Sequence, residues 1–177
     1  MQYDSSSGEP DFATGWEGNT EKAFLQHVKE IYAPRGCGLV VTVKNARGKG
    51  AKHVIEQTIK WTYTGAYDSV AVLLDTDTDW SPQVVKKAKS VQIVVLTSEP
   101  CFEAMMLRVA GENLATTTNS SELKEQFSPL VRDPLSKNSY KDRFGQNVLE
   151  KARCREKTIE NLLALFKFSV PANRKKR

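Results

Sequence analysis

The sequence predicts an α/β protein with a small parallel sheet flanked by helices and a C-terminal helical extension. Three observations carry that expectation. VAVLLDTDTD, residues 70–79, opens with an apolar run that has no polar face, which reads as a strand covered on both sides, as in a parallel sheet between helical layers. Strand and helix signals alternate between residues 17 and 110, the pattern of βαβ crossovers. Beyond Gly111 the strand signals stop and only helical ones continue.

Taken in order, residues 1–16 are rich in Ser, Gly and acids without periodicity and are expected to form a loose leader; EPDFATGW is too weakly apolar to declare a strand. A helix capped by Asn19 or Thr20 should run to about Tyr32, because Ala23, Phe24, His27, Val28 and Ile31 share one helical face. Pro34 and Gly36 close it. LVVTV, residues 39–43, reads as a strand, and NARGKG after it as a basic loop. A helix from Ala51 to about Trp61 turns Val54, Ile55, Thr58 and Ile59 inward. After the acid-tipped strand, Ser81 caps a helix with Pro82 at its first position, ending near Lys89. VQIVVL, residues 91–96, is the next strand, and a turn through Ser98, Glu99 and Pro100 leads into a helix from Cys101 to about Val109. A short helix near Leu123 follows. One long helix from about Tyr140 to Phe166 then presents Val148, Leu149, Ala152, Ile159, Leu162, Leu163 and Phe166 to the domain. The expected organisation is a leader (1–16), an α/β core (17–110), a helical cap packed on that core (111–168) and a basic tail (169–177).

Composition narrows the function classes. At 177 residues with 40% hydrophobic and 27% charged content, the chain suits one globular domain, and no apolar run of about eighteen residues suggests a membrane span. The N-terminal stretch lacks the basic and apolar segments of a secretory signal, so a cytoplasmic location is the expectation. Cys37, Cys101 and Cys154 are odd in number and far apart, which fits reduced thiols better than disulfides or a zinc site. With only His27 and His53 available, a His-rich metal centre or a Ser-His-Asp triad is poorly supported. A net charge of +5 permits a polyanionic partner.

The chemistry points to strand ends, where open α/β sheets bind ligands. Asp75 and Asp77 are two apart, so both side chains can converge on one ion as the strand opens into its loop. Two such carboxylates about 4 Å apart repel by roughly 4 kcal/mol at an effective dielectric near 20, which calls for a cation or a raised pKa. Mg²⁺ suits them, since it takes one or two carboxylates and keeps several waters. The alternative is a solvated Asp-rich turn capping the next helix, although one acid would suffice for that. Asp79 is assigned to the surroundings of the site or to the next helix. WEGNTE, residues 16–21, places Glu17 and Glu21 around Gly18 at a helix start, where acids also serve the macrodipole. SEPCFE, residues 98–103, puts Glu103 in a first helical turn near the same sheet edge. Cys101 reads as a packing residue there, because its acidic neighbours oppose thiolate formation. Lys44, Arg47, Lys49 and Lys52 cluster after the 39–43 strand and are candidates for nucleic-acid phosphates, or simply for soluble surface.

In order, EGNTE, the apolar strand ending in DTDTD, and the strand followed by SEPCFE resemble the RloB-like family, a divergent branch of the Toprim superfamily, over about residues 17–110. The family pattern is an EGxTE-like motif, a strand ending in DxD, and an SxPCFE segment. The resemblance implies a Toprim-like fold and a site in which Glu17, Asp75 and Asp77 hold Mg²⁺ (or Mn²⁺) and act on a phosphodiester. It makes Glu17 a metal ligand or general acid/base, and Glu21 and Glu103 further catalytic candidates. Where the family has a strongly apolar strand before its first motif, this chain has EPDFATGW, and Glu99 stands where asparagine is commoner. The resemblance further implies a nuclease of a prokaryotic restriction or anti-phage locus, with DNA or RNA as partner and a companion ATPase or restriction component. Two other readings stand beside it. DTDTD also resembles the DxDx[TV] motif of haloacid-dehalogenase-like phosphohydrolases, although that motif normally opens the chain and Asp79 departs from it. A non-catalytic binding protein with a degenerate Toprim site is the third.

Overall fold

The computed structural model describes residues 11–16, 18–46, 50–65, 67–77, 80–114 and 119–168. Four strands, β1 (Asp11–Trp16), β2 (Val40–Asn45), β3 (Ser69–Asp75) and β4 (Ile93–Ser98), form one parallel sheet in the order β2-β1-β3-β4. Helices α1 (Asn19–Tyr32), α2 (Gly50–Thr64) and α3 (Pro82–Ser90) connect them, and α4 (Phe102–Ala110), α5 (Ser120–Phe127), α6 (Gln146–Ala152) and α7 (Lys157–Phe168) follow. This is the expected α/β architecture of a small parallel sheet between helices with a helical extension.

Strand β3 shows why the sheet has two helical layers. Its interior residues are buried on both faces. Val70, Val72 and Leu74 pack with Ala13, Val54, Ile55 and Ala88 on the side of α2 and α3. Ala71 and Leu73 pack with Phe24, Met105, Leu123 and Leu162 on the side of α1, α4, α5 and α7. The period-2 alternation carries Asp75 on to the second of these faces. The C-terminal helices share that core with α1 and α4.

Three expectations are corrected. Residues 11–16 do not belong to a leader: they form β1, an inner strand that pairs with β2 and β3 along its length. It is paired on both edges, and DFATGW holds no apolar run that would mark it in the sequence. The first helix is capped by Gly18 rather than Asn19 or Thr20. The long helix expected from Tyr140 to Phe166 is broken into α6 and α7. At the break the amides of Arg155 and Glu156 both donate to the Ala152 carbonyl, at 3.0 and 2.8 Å. The Arg155 guanidinium donates to the carbonyls of Arg108 and Val109 at the end of α4, while Arg108 donates to the Glu156 carboxylate at 2.7 Å. These bonds satisfy orphan carbonyls of α4 that a continuous helix would not reach. Elsewhere Ser81 caps α3 as expected, its hydroxyl accepting from the Val84 amide at 3.4 Å. Among the described residues no helix is long and apolar enough to cross a membrane, and Cys37, Cys101 and Cys154 are free thiols.

Candidate active site

The strand order creates the site. From β1 the chain crosses by α1 outward to β2, and from β3 it crosses by α3 outward to β4. The crossovers diverge between β1 and β3, so a crevice opens beyond their carboxyl ends, the usual ligand position in such sheets. A cavity of about 220 Å³ lies there, lined by Gly18, Thr20, Glu21, Asp75, Asp77, Cys101, Glu103, Ser120 and Lys124. Four of the acids singled out in the sequence therefore meet at one recess. Glu17, at the turn between β1 and α1, and Asp79 lie outside the described residues.

Each wall is fixed by a local reason. The loop after β3 is tied to the loop after β4: the Thr76 amide donates to the carbonyls of Ser98 (3.1 Å) and Pro100 (3.0 Å), and the Asp77 amide donates to Pro100 (3.1 Å). This holds Asp77 beside α4. Its carboxylate accepts from the Ser120 hydroxyl at 3.0 Å, which joins the first turn of α5 to the DTDTD loop. Lys124, one helical turn further along α5, brings a positive charge to the same wall. Glu21 is the third residue of α1, and its carboxylate folds back over Gly18, where an added Cβ would collide with it. That is the reach of a capping box, so Glu21 also serves the helix start. Above it the buried Tyr140 hydroxyl lies 3.3 Å from the Thr20 carbonyl and 3.0 Å from that of Pro134, its donor choices.

The electrostatics are acidic. Burial pushes the Cys101 thiol up to about 11, and the charges of Glu103 and Asp75 add to that. The thiol stays protonated, as expected for a packing residue, and is no nucleophile. Burial likewise raises the Tyr140 hydroxyl well above its ordinary range, with Glu21 and Glu103 contributing. Among the described residues no group of three or more His, Cys, Asp or Glu side chains is drawn together closely enough to hold a metal.

Of the basic candidates, the described ones, Lys44 and Lys52, do not line this recess. Lys44 places its ammonium over the rings of Trp61 (5.2 Å) and Tyr67 (5.0 Å), a pair of cation–π contacts involving the end of α2 and the entry to β3. Lys52 is exposed on α2, where its charge acts on Glu56. Arg47 and Lys49 lie outside the described residues. Glu99 is exposed, and only its carbonyl is engaged, by Arg108 at 2.7 Å. Ser120 and Lys124 were not singled out in the sequence. Their four-residue spacing after the Asn119 cap shows that they share a face, but nothing local shows that this face meets Asp77.

No curated protein matches the chain. Among solved structures it is similar to the C-terminal region of the Burkholderia pseudomallei OLD protein, at 16% identity and a TM-score of 0.46, covering 90% of this chain and 98% of that one; a likeness of that size carries no functional inference. The family comparison is more extensive. Residues 15–167 match the RloB-like protein family, a span that takes in β1's end, all three acidic motifs and the helices that wall the recess, and the chain belongs to that family.

Proposed function

We propose that the recess is a divalent-metal site for phosphodiester cleavage and that the protein is a Mg²⁺- or Mn²⁺-dependent nuclease. The observation that carries this reading is the convergence of Glu21, Asp75, Asp77 and Glu103, from three separate segments, on one cavity at the switch point of the sheet. Membership of the RloB-like family is consistent with a nuclease-related or defence role.

The donor set fits a hard cation: it is all carboxylate oxygen, and Mg²⁺ asks for only one or two carboxylates because it retains waters. Asp75 and Asp77 would hold the ion, with Glu17 as the acid delivered by β1. When bound, the ion supplies Lewis-acid stabilisation of phosphoryl oxygens. The chain's own residues do the rest. Ser120 and the Pro100 carbonyl orient Asp77, and Lys124 offers a cation to the non-bridging oxygens of a phosphate. Glu103 and Glu21 are the carboxylates available to accept or return a proton.

Incubation with supercoiled plasmid and with RNA, in Mg²⁺, Mn²⁺ or chelator, tests the reading. Metal-dependent cleavage should fall on the order of 100-fold or more in Asp75→Asn/Asp77→Asn. Intact nucleic acid under every condition would overturn it. Phosphate released from a small aryl phosphate, and lost in Asp75→Asn alone, would instead favour a phosphohydrolase.

A further inference from the structure

A second, larger cavity of about 750 Å³ lies between the C-terminal half of α1, the loop after it and the start of β2, with Gln26, Lys29, Glu30, Arg35, Val40 and Lys137 on its walls. We propose that this cavity is a distal phosphate-binding site, which anchors the nucleic-acid backbone along α1 away from the acidic recess. The inference rests on the nuclease reading and extends it to the path of the substrate.

The charge balance favours a polyanion. The one carboxylate in the wall, Glu30, is already matched by Lys137 and by Lys141 at 3.7 Å. Lys29 and Arg35 line the cavity and make no ion pair among the described residues. The two cavities are joined by a single element. Gly18, Thr20 and Glu21 line the acidic recess at the start of α1, while Gln26, Lys29 and Glu30 line the basic cavity further along it. Lys22, Gln26 and Lys29, spaced by four and three, form one stripe between them, and none of the three is buried. Lys22 also makes no ion pair among the described residues. The fourteen-residue α1 is about 21 Å long, on the order of six backbone steps of about 3.4 Å. A strand long enough to lie along it meets Lys22, Lys29 and Arg35 while a phosphate sits in the recess. A much shorter one cannot span the two.

The test is binding in chelator, where cleavage plays no part. Fluorescence anisotropy with labelled single strands of about 3 and about 20 nucleotides is measured between about 50 and 200 mM salt. Lys29→Gln/Arg35→Gln should weaken binding of the long strand about tenfold and lower its salt slope by about one per residue; the short strand, which cannot span from the cavity to Lys22, should bind the wild-type chain more weakly than the long one. Lys86→Gln/Lys89→Gln, on exposed positions of α3 in the opposite layer, removes the same charge and should change neither. Thermal unfolding of both variants checks that the fold is kept. The inference is overturned if the wild-type chain binds neither strand, if Lys29→Gln/Arg35→Gln binds the long strand with wild-type affinity and slope, or if the α3 variant loses as much. Lys29- and Arg35-dependent binding without any cleavage would uphold this inference and sink the nuclease reading alone. Cleavage with unaltered binding would do the reverse.

Discussion

Strands β1 and β3 lie side by side, run in the same direction and end at the same recess, yet only one of them is marked in the sequence by an apolar run. Val70 to Leu74 bury their own side chains in both helical layers, so β3 declares itself. β1 places Ala13 in the α2–α3 layer, with Asp11 to Trp16 in register with Val40 to Asn45 on one side and Phe12 to Trp16 with Ser69 to Leu73 on the other. Both are inner strands paired on two edges, and β3 adds an unbroken run of five buried apolar residues, Val70 to Leu74.

That contrast can be broken from either side. Leu74→Ala removes a fully buried side chain and should cost about 2–5 kcal/mol in urea denaturation. Ala13→Pro should cost about 3 kcal/mol by a different route, the loss of a ladder amide in an inner strand. Ala13→Val, which keeps the amide, should do less harm than the proline; equal damage from the two would mean that packing, not pairing, holds β1.

The helix that follows β1 gives a smaller, pH-dependent effect. His27 of α1 is buried, its Nε2 donating to the Phe144 carbonyl at 2.9 Å while Nδ1 has no partner among the described residues. Burial lowers its pKa below the ordinary value, so the folded state favours neutral imidazole. Its contribution to stability is therefore present above about pH 6.5 and is lost as pH falls below that, by at most about 1.4 kcal/mol per pH unit. His27→Gln should flatten the stability profile between about pH 5 and 7 in thermal unfolding followed across that range. The smallest effect on stability is expected on the β3 side of the recess. Ser120→Ala removes an exposed bond to Asp77 and should change stability by less than about 1 kcal/mol, while weakening Mn²⁺ binding about tenfold because Asp77 loses its orientation.

What was legible in the sequence follows the same division. β2, β3, β4 and the helices through α4 are marked by their own periodicity, turns and caps. The break between α6 and α7 is not, because Arg155 and Glu156 turn the chain in answer to α4, 46 and 48 residues away along the chain. In the site, Glu21, Asp75, Asp77 and Glu103 could be picked out because each stands at the junction of a strand with a helix. Lys44 could not be judged, since its aromatic partners come from α2 and from the entry to β3. Ser120 and Lys124 could not be found because α5 reaches Asp77 across 43 residues of chain.

The proposed metal site would take Glu17, which follows β1 in the chain, together with Asp75 and Asp77 at the end of β3. Calorimetric titration with Mn²⁺ of the wild-type chain, Glu17→Gln and Asp75→Asn tests it most directly. Binding is expected in the wild type, lost in Asp75→Asn and weakened at least about tenfold in Glu17→Gln. Wild-type affinity in Glu17→Gln, or a wild-type chain that binds no Mn²⁺, would contradict it.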